Sequence, residues 1–119
     1  MRGTLKSRRA FGYIYEHGER AVGKHVVVFA VHDDPVLGES SGAVGFVASR
    51  KVGHSPDRSR AKRVMRAALA EIRTRHHVRG HLILVARRAM IADRTRSTEL
   101  ASELEQLLTR TGSLKGAEG

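Results

Sequence analysis

The chain contains no cysteine, which removes disulfides, thiolate zinc sites and cysteine nucleophiles at once. The core has to hold by packing alone. Tryptophan is absent and aromatics make up only 4% of the residues, three Phe and two Tyr, so the position of each ring carries information. No apolar run approaches the roughly 20 residues needed to cross a bilayer. No membrane partner is therefore expected. The opening MRGTLKSRRAFGYIY has basic residues but neither an apolar stretch nor a small-residue cleavage site, so it does not read as a secretory signal. A cytoplasmic location is the expectation. Acidic residues are the scarcer charge: 12 Asp and Glu stand against 22 Lys and Arg, a net charge of +10, which points to a polyanionic partner.

That charge is unevenly placed. Residues 1–20 are net +3, residues 49–66 net +6 and residues 71–96 net +5, while 21–48 and 97–119 are each net −2. Basicity confined to three stretches favours nucleic acid over a generally solvated surface. At 119 residues the chain suits one domain with a modest core. Residues 1–112 are read as a single RNA-binding domain and 113–119, poor in apolar side chains, as a frayed tail.

Hydrophobic periodicity and turn residues divide the chain. Leu5 to His17 reads as a helix stopped by Gly18. The run HVVVFAV, His25 to Val31, reads as a buried strand, and a loop follows through Asp33, Asp34, Pro35 and Gly38 to Gly42. Ala43 to Ser49 is a second strand with Val44, Phe46 and Ala48 on one face. A long helix then starts with Ser55 as N-cap and Pro56 at its first position. At about 100° per residue, Ala61, Val64, Met65, Ala68, Leu69 and Ile72 share its core arc. After Gly80, HLILVA (His81 to Ala86) forms a third strand, parallel to the second through a strand, helix, strand crossover. A last helix from Ser97 buries Leu100, Leu104, Leu107 and Leu108 and ends at Gly112.

The segment SRKVGHSPDRSRAKRVMR, Ser49 to Arg66, concentrates the chemistry. It leaves a strand with Arg50 and Lys51, turns at Gly53, and enters a helix carrying Arg58, Arg60, Lys62, Arg63 and Arg66. Arginine's planar fork binds phosphate in two contacts and stacks on bases. A structural helix would intersperse acids for stabilising pairs, and only Asp57 and Glu71 are near. Phe11 and Tyr15, four apart on the first helix, share a face that either packs in the core or stacks on unpaired bases. No catalytic residue is evident. The seven histidines do not converge, carboxylates are not paired, and no phosphate-cradling glycine loop is present. No metal is expected on the side chains.

GFVASRKVGHSPDRSRAKRVMRAAL resembles the bacterial ribonuclease P protein component in its strand, two basic residues, hydrophobic residue, Gly and Arg-x-Arg-x-Lys-Arg-x-x-Arg helix. LKSRRAFGYIYEHG resembles that family's N-terminal pattern and lands Phe11, Tyr15 and Gly18 on its marked positions. HVVVFAV and ILVARR resemble its first and last strands, which places Phe29 and Arg87. The chain departs from the pattern at Thr4, His54, Ser59 and Ala89.

The resemblance implies an α/β (α+β) two-layer sandwich with a mixed sheet of about four strands, in order α-β-β-β-α-β-α, and an unusual left-handed βαβ crossover. The short fourth strand is expected either near Ser7 to Phe11 or between Gly18 and His25. The resemblance further implies that the catalytic RNA of ribonuclease P performs the chemistry, with magnesium in the RNA-containing holoenzyme. The protein then binds the single-stranded 5′ leader of precursor tRNA between the sheet and the first helix, on Phe11, Tyr15 and Phe29. Its basic helix and Arg50 and Lys51 meet RNA, and no protein partner is implied. From the residues alone, a general or ribosome-associated RNA-binding protein remains open.

Overall fold

A computed structural model describes residues 8–31 and 43–114 of the chain. The elements run α1 (Arg8–His17), β1 (Glu19–Val22), β2 (Val26–Val31), β3 (Val44–Val47), α2 (Ser55–Arg73), β4 (His81–Ala86), α3 (Arg88–Ala92) and α4 (Ser97–Arg110). Leu5 and the expected loop around Pro35 lie outside the described residues. The four strands form one mixed sheet in the order β1-β2-β4-β3. β2 pairs antiparallel with both β1 and β4, and β3 pairs parallel with β4. The fourth strand is thus β1, in the second of the two expected stretches. A short helix, α3, adds to the expected order. None of the described helices is long and apolar enough to cross a membrane.

Strand alternation splits the apolar residues between two layers. Val26, Val28 and Ala30 of β2, Leu82, Leu84 and Ala86 of β4, and Val44 of β3 face a large core. There they meet Ala61, Val64, Met65, Ala68, Leu69 and Ile72 of α2 and Leu100, Leu104, Leu107 and Leu108 of α4. Phe46 and Ala48 pack against the same core. All six residues of the α2 core arc are buried as the helical spacing requires. On the opposite face Ile14 of α1 meets Val31 and Ile83 in a much smaller cluster, with Phe11, Phe29, Ala43, Val47 and Val85 only partly buried around it. One ten-residue helix therefore covers only part of that face.

Two boundaries differ from expectation. Ser55 is the first helical residue of α2 and His54, in extended conformation, is the N-cap without a side-chain hydrogen bond. Pro56 still lies in the first turn, where the N–H it lacks has no intrahelical acceptor. At the other end of the chain, Gly112 turns at φ 75° and the Ser113 N–H donates to the Leu108 carbonyl at 2.8 Å, a helix stop that suits glycine. Ser113, read from the sequence as the start of a frayed tail, is fully buried, with its hydroxyl 2.8 Å from that of Thr111. Leu114 is also buried and bridges to Val78. Residues 115–119 lie outside the described residues.

Candidate nucleic-acid interface

The partly covered face of the sheet has a definite pattern. Strand register places Arg20, Phe29, Ile83 and Gly45 in one cross-strand row and Val22, Val27, Val85 and Val47 in the next. α1 lies over the first of these, with Phe11 and Ile14 in the small cluster. The Tyr15 ring meets the edge of Phe29 at 4.8 Å between centroids and lies 6.3 Å from Phe11. The three aromatics chosen from the sequence are thus one group. Phe11 packs against the cluster and is half-buried. Tyr15 is 42% exposed, as is Val22, and among the described residues these are the two large apolar side chains left in water. Val22 belongs to the second row, and Tyr15 lies against Phe29 of the first. Partial burial raises the Tyr15 hydroxyl above the ordinary phenol range, so it stays a neutral donor and acceptor.

At Val85 the apolar row opens into a basic depression that also includes Ser49, Arg50, Lys51, Val52, Ala86, Arg87 and Arg88. A second depression continues from it over Gly53, His54, Ser55 and Arg58, sharing Arg50, Lys51 and Arg88. The start of α2 lies here, and its uncapped N-terminus adds partial positive charge. Arg58 reaches Ser55 Oγ through one terminal nitrogen at 3.2 Å. Its Nε is buried and has no hydrogen-bond partner.

Along α2, Arg58, Lys62 and Arg66 form an i, i+4 row, and the Arg66 guanidinium lies 5.2 Å above the Phe46 ring of β3. That contact orients the row toward the β3 edge of the sheet. Arg63 stands exposed beside it. Arg60, roughly 200° from Arg58 around the helix, is exposed and does not share the row. Among the described residues no ion pair takes Arg50, Lys51 or any of these five cations; the acids pair elsewhere, Glu71 and Glu105 with Arg75 and His76, and Asp93 and Glu103 with His25. A row of unneutralised cations is costly in an isolated helix and suited to a polyanion.

Sequence reasoning missed Arg88 and the valine row. ILVARR drew attention to Arg87, but that side chain donates to the Gly23 carbonyl at 2.7 Å and so serves the fold, while its neighbour Arg88 lines both depressions. The valine row is drawn from four strands, and only strand register brings it together.

No described group of three or more His, Asp or Glu side chains is arranged to hold a metal ion. The arrangement can bind an extended anionic chain with apolar bases; it offers no nucleophile paired with a base.

Comparison with known proteins agrees with this geometry. The Ribonuclease P family profile matches residues 2–112. The chain is 33% identical to the ribonuclease P protein component of Symbiobacterium thermophilum over 93% of its length and 92% of that protein. It is 30% identical to that of Acidothermus cellulolyticus over 99% and 95%. With the Nitratiruptor protein of the same name identity rises to 41%, over 54% of this chain and 53% of the relative. The fold matches the RNase P protein of Staphylococcus aureus with a TM-score of 0.76 at 20% identity, covering 96% of this chain and 97% of that one. It matches the Thermotoga maritima RNase P protein with 0.74 at 23% identity, covering 90% and 96%. With a profile that spans nearly all of its length and relatives aligned end to end, this chain belongs to the ribonuclease P protein component family.

Proposed function

We propose that this protein assists a catalytic RNA in removing the 5′ leader of precursor tRNA, holding the single-stranded leader across the half-covered sheet face and the catalytic RNA on the basic surface of α2. The observation that carries the reading is the continuity of the two surfaces: Val85 belongs both to the apolar cluster beside Phe29 and to the depression lined by Arg50, Lys51 and Arg88. An unpaired strand needs this combination. Bases lose water against Tyr15, Phe29 and the valine row, with stacking worth roughly 1–3 kcal/mol per base, while phosphates meet cations that no acid among the described residues neutralises.

The cleavage step is assigned to the RNA. Magnesium, expected in the RNA-containing holoenzyme, finds no fitting donor group among the described side chains, so no protein step is routed through it. The protein acts by binding substrate and by screening repulsion between two polyanions. The test is reconstitution with a bacterial ribonuclease P RNA. The protein should stimulate leader removal most at low salt and low magnesium, and Tyr15→Leu should weaken binding of precursor tRNA while leaving mature tRNA unchanged. Equal weakening for both RNAs would make Tyr15 structural, and absence of stimulation would favour a general RNA-binding protein.

A further inference from the structure

His25 is the third residue of the turn between β1 and β2, far from the aromatic group, and carboxylates face both of its ring nitrogens. Nδ1 lies 2.6 Å from Glu103 Oε1 of α4, and Nε2 lies 2.8 Å from Asp93 Oδ2 at the C-cap of α3. The other Glu103 oxygen accepts the N–H groups of His25 at 2.8 Å and Val26 at 3.2 Å. A side chain at Gly23 would collide with that carboxylate and with Leu107, so the turn and Glu103 are fitted to each other. The His25 side chain is 16% exposed. A neutral imidazole has one N–H and could donate to only one of these acids. The doubly protonated ring donates to both.

The same turn grips both ends of α3. At the N-cap of that five-residue helix, Arg87 donates its backbone N–H to the His25 carbonyl at 2.9 Å and its guanidinium to the Gly23 carbonyl at 2.7 Å. At the C-cap, Asp93 is held by His25 and, at 3.7 Å, by Lys24. The first residue inside this frame is Arg88, which lines both basic depressions.

We propose that His25 is a positioning residue: as an imidazolium it fixes α3 between Glu103 and Asp93 and thereby sets Arg88 in the phosphate-binding depression, so that RNA affinity follows its protonation. This rests on reading the depression as a phosphate site. The charged groups around the ring are Glu103, Asp93, Lys24 and Arg87. When the ring loses its proton, one nitrogen turns a lone pair toward a carboxylate, and the frame at one end of α3 opens. Burial by itself disfavours the charged ring, but the hydrogen bonds to Asp93 and Glu103 outweigh it and keep the imidazolium past the usual imidazole range.

The experiment uses the full chain. Nitrogen-15 spectra of the histidine rings near pH 7 should show His25 protonated on both nitrogens; a neutral ring would overturn the proposal without reference to RNA. Binding to a bacterial ribonuclease P RNA at constant salt should fall about fivefold between about pH 6 and pH 8.5, the scale of one weakened phosphate contact. Asp93→Asn should flatten that fall while keeping the low-pH affinity, because the introduced amide can donate to an unprotonated Nε2 while Nδ1–H still serves Glu103. Arg88→Ala should flatten it by removing the group that is positioned. A fall as steep as wild type in either variant assigns the pH response to another group and overturns the proposal. Absence of RNA binding at both pH values would overturn the phosphate reading beneath it, with the ring spectrum still reporting separately on the clamp.

Discussion

A methyl group at Gly18 would fall 2.6 Å from the Ile14 carbonyl oxygen and 3.0 Å from that of Ala30, both main-chain atoms that cannot swing aside. Gly18 is where α1 ends and β1 begins, and its N–H caps the Ile14 carbonyl at 2.8 Å. Gly18→Ala should therefore cost about 1–3 kcal/mol, the range for overpacking, read by urea unfolding. At His25 the expected effect is a pH dependence of stability. The ring's pKa is raised in the fold, so its contribution is complete below the ordinary imidazole value of about 6.5 and is lost as pH rises through the raised value. Asp93 moves the other way: the hydrogen bond from His25 holds its carboxyl below the usual range against an opposing desolvation, with Lys24 adding to the lowering. Its contribution is present above the ordinary carboxylate value of about 4 and fades as pH falls through the lowered one. The clamp is thus complete between roughly pH 4 and pH 6.5. Melting temperatures of wild type and His25→Ala should differ most in that window and converge toward alkaline pH.

Among the elements, α2 presents its cationic row on one flank and its core arc on another. Changing Lys62 and Arg66 together to Ala should reduce the slope of log affinity against log salt by about 1.5, since each neutralised phosphate contributes roughly 0.7–0.9. Removing Arg66 also deletes its contact with Phe46, a loss of about 0.5–1 kcal/mol, so the variants need a denaturation curve beside the titration. An unchanged slope would mean that the row does not touch phosphate. This helix was legible in the sequence because long periodicity, Pro56 and the basic spacing agree, and only its cap slipped by one residue, as His54 has no side-chain hydrogen bond to mark it. β2 and β4 were legible as apolar runs. β1 was not, since ERAV buries only Ala21 and becomes a strand because a tight turn lays it against β2. α3 buries only Met90 in five residues, too little for a periodic signal, and so the residue it presents, Arg88, went unread.

For the whole molecule, the lack of a metal-holding group among the described acids makes a prediction about chemistry. Asp57, in the first turn of α2, is the described carboxylate nearest the basic depression in sequence, yet it belongs to no metal-binding group of described residues. A folded Asp57→Asn variant at saturating protein should cleave precursor tRNA within about tenfold of wild type, against the far larger loss expected on removing a metal-holding carboxylate. A loss of many orders of magnitude with normal binding would return the catalysis to the protein. The aromatic and basic halves of the site were each visible in the sequence through residue type and spacing; their junction at Val85 was not, because it depends on which strands are neighbours. The strand order has one more consequence, for how the chain folds. Among the described residues β4 is the last strand in the sequence, yet it lies between β2 and β3 and is the only strand paired with β3. Until residues 81–86 arrive, β1 and β2 can pair as a local hairpin while β3 has no neighbour. Insertion of β4 then closes two distant ladders together, a non-local step that topology makes slow. Truncating Leu82 or Leu84 should accordingly slow folding more than it speeds unfolding.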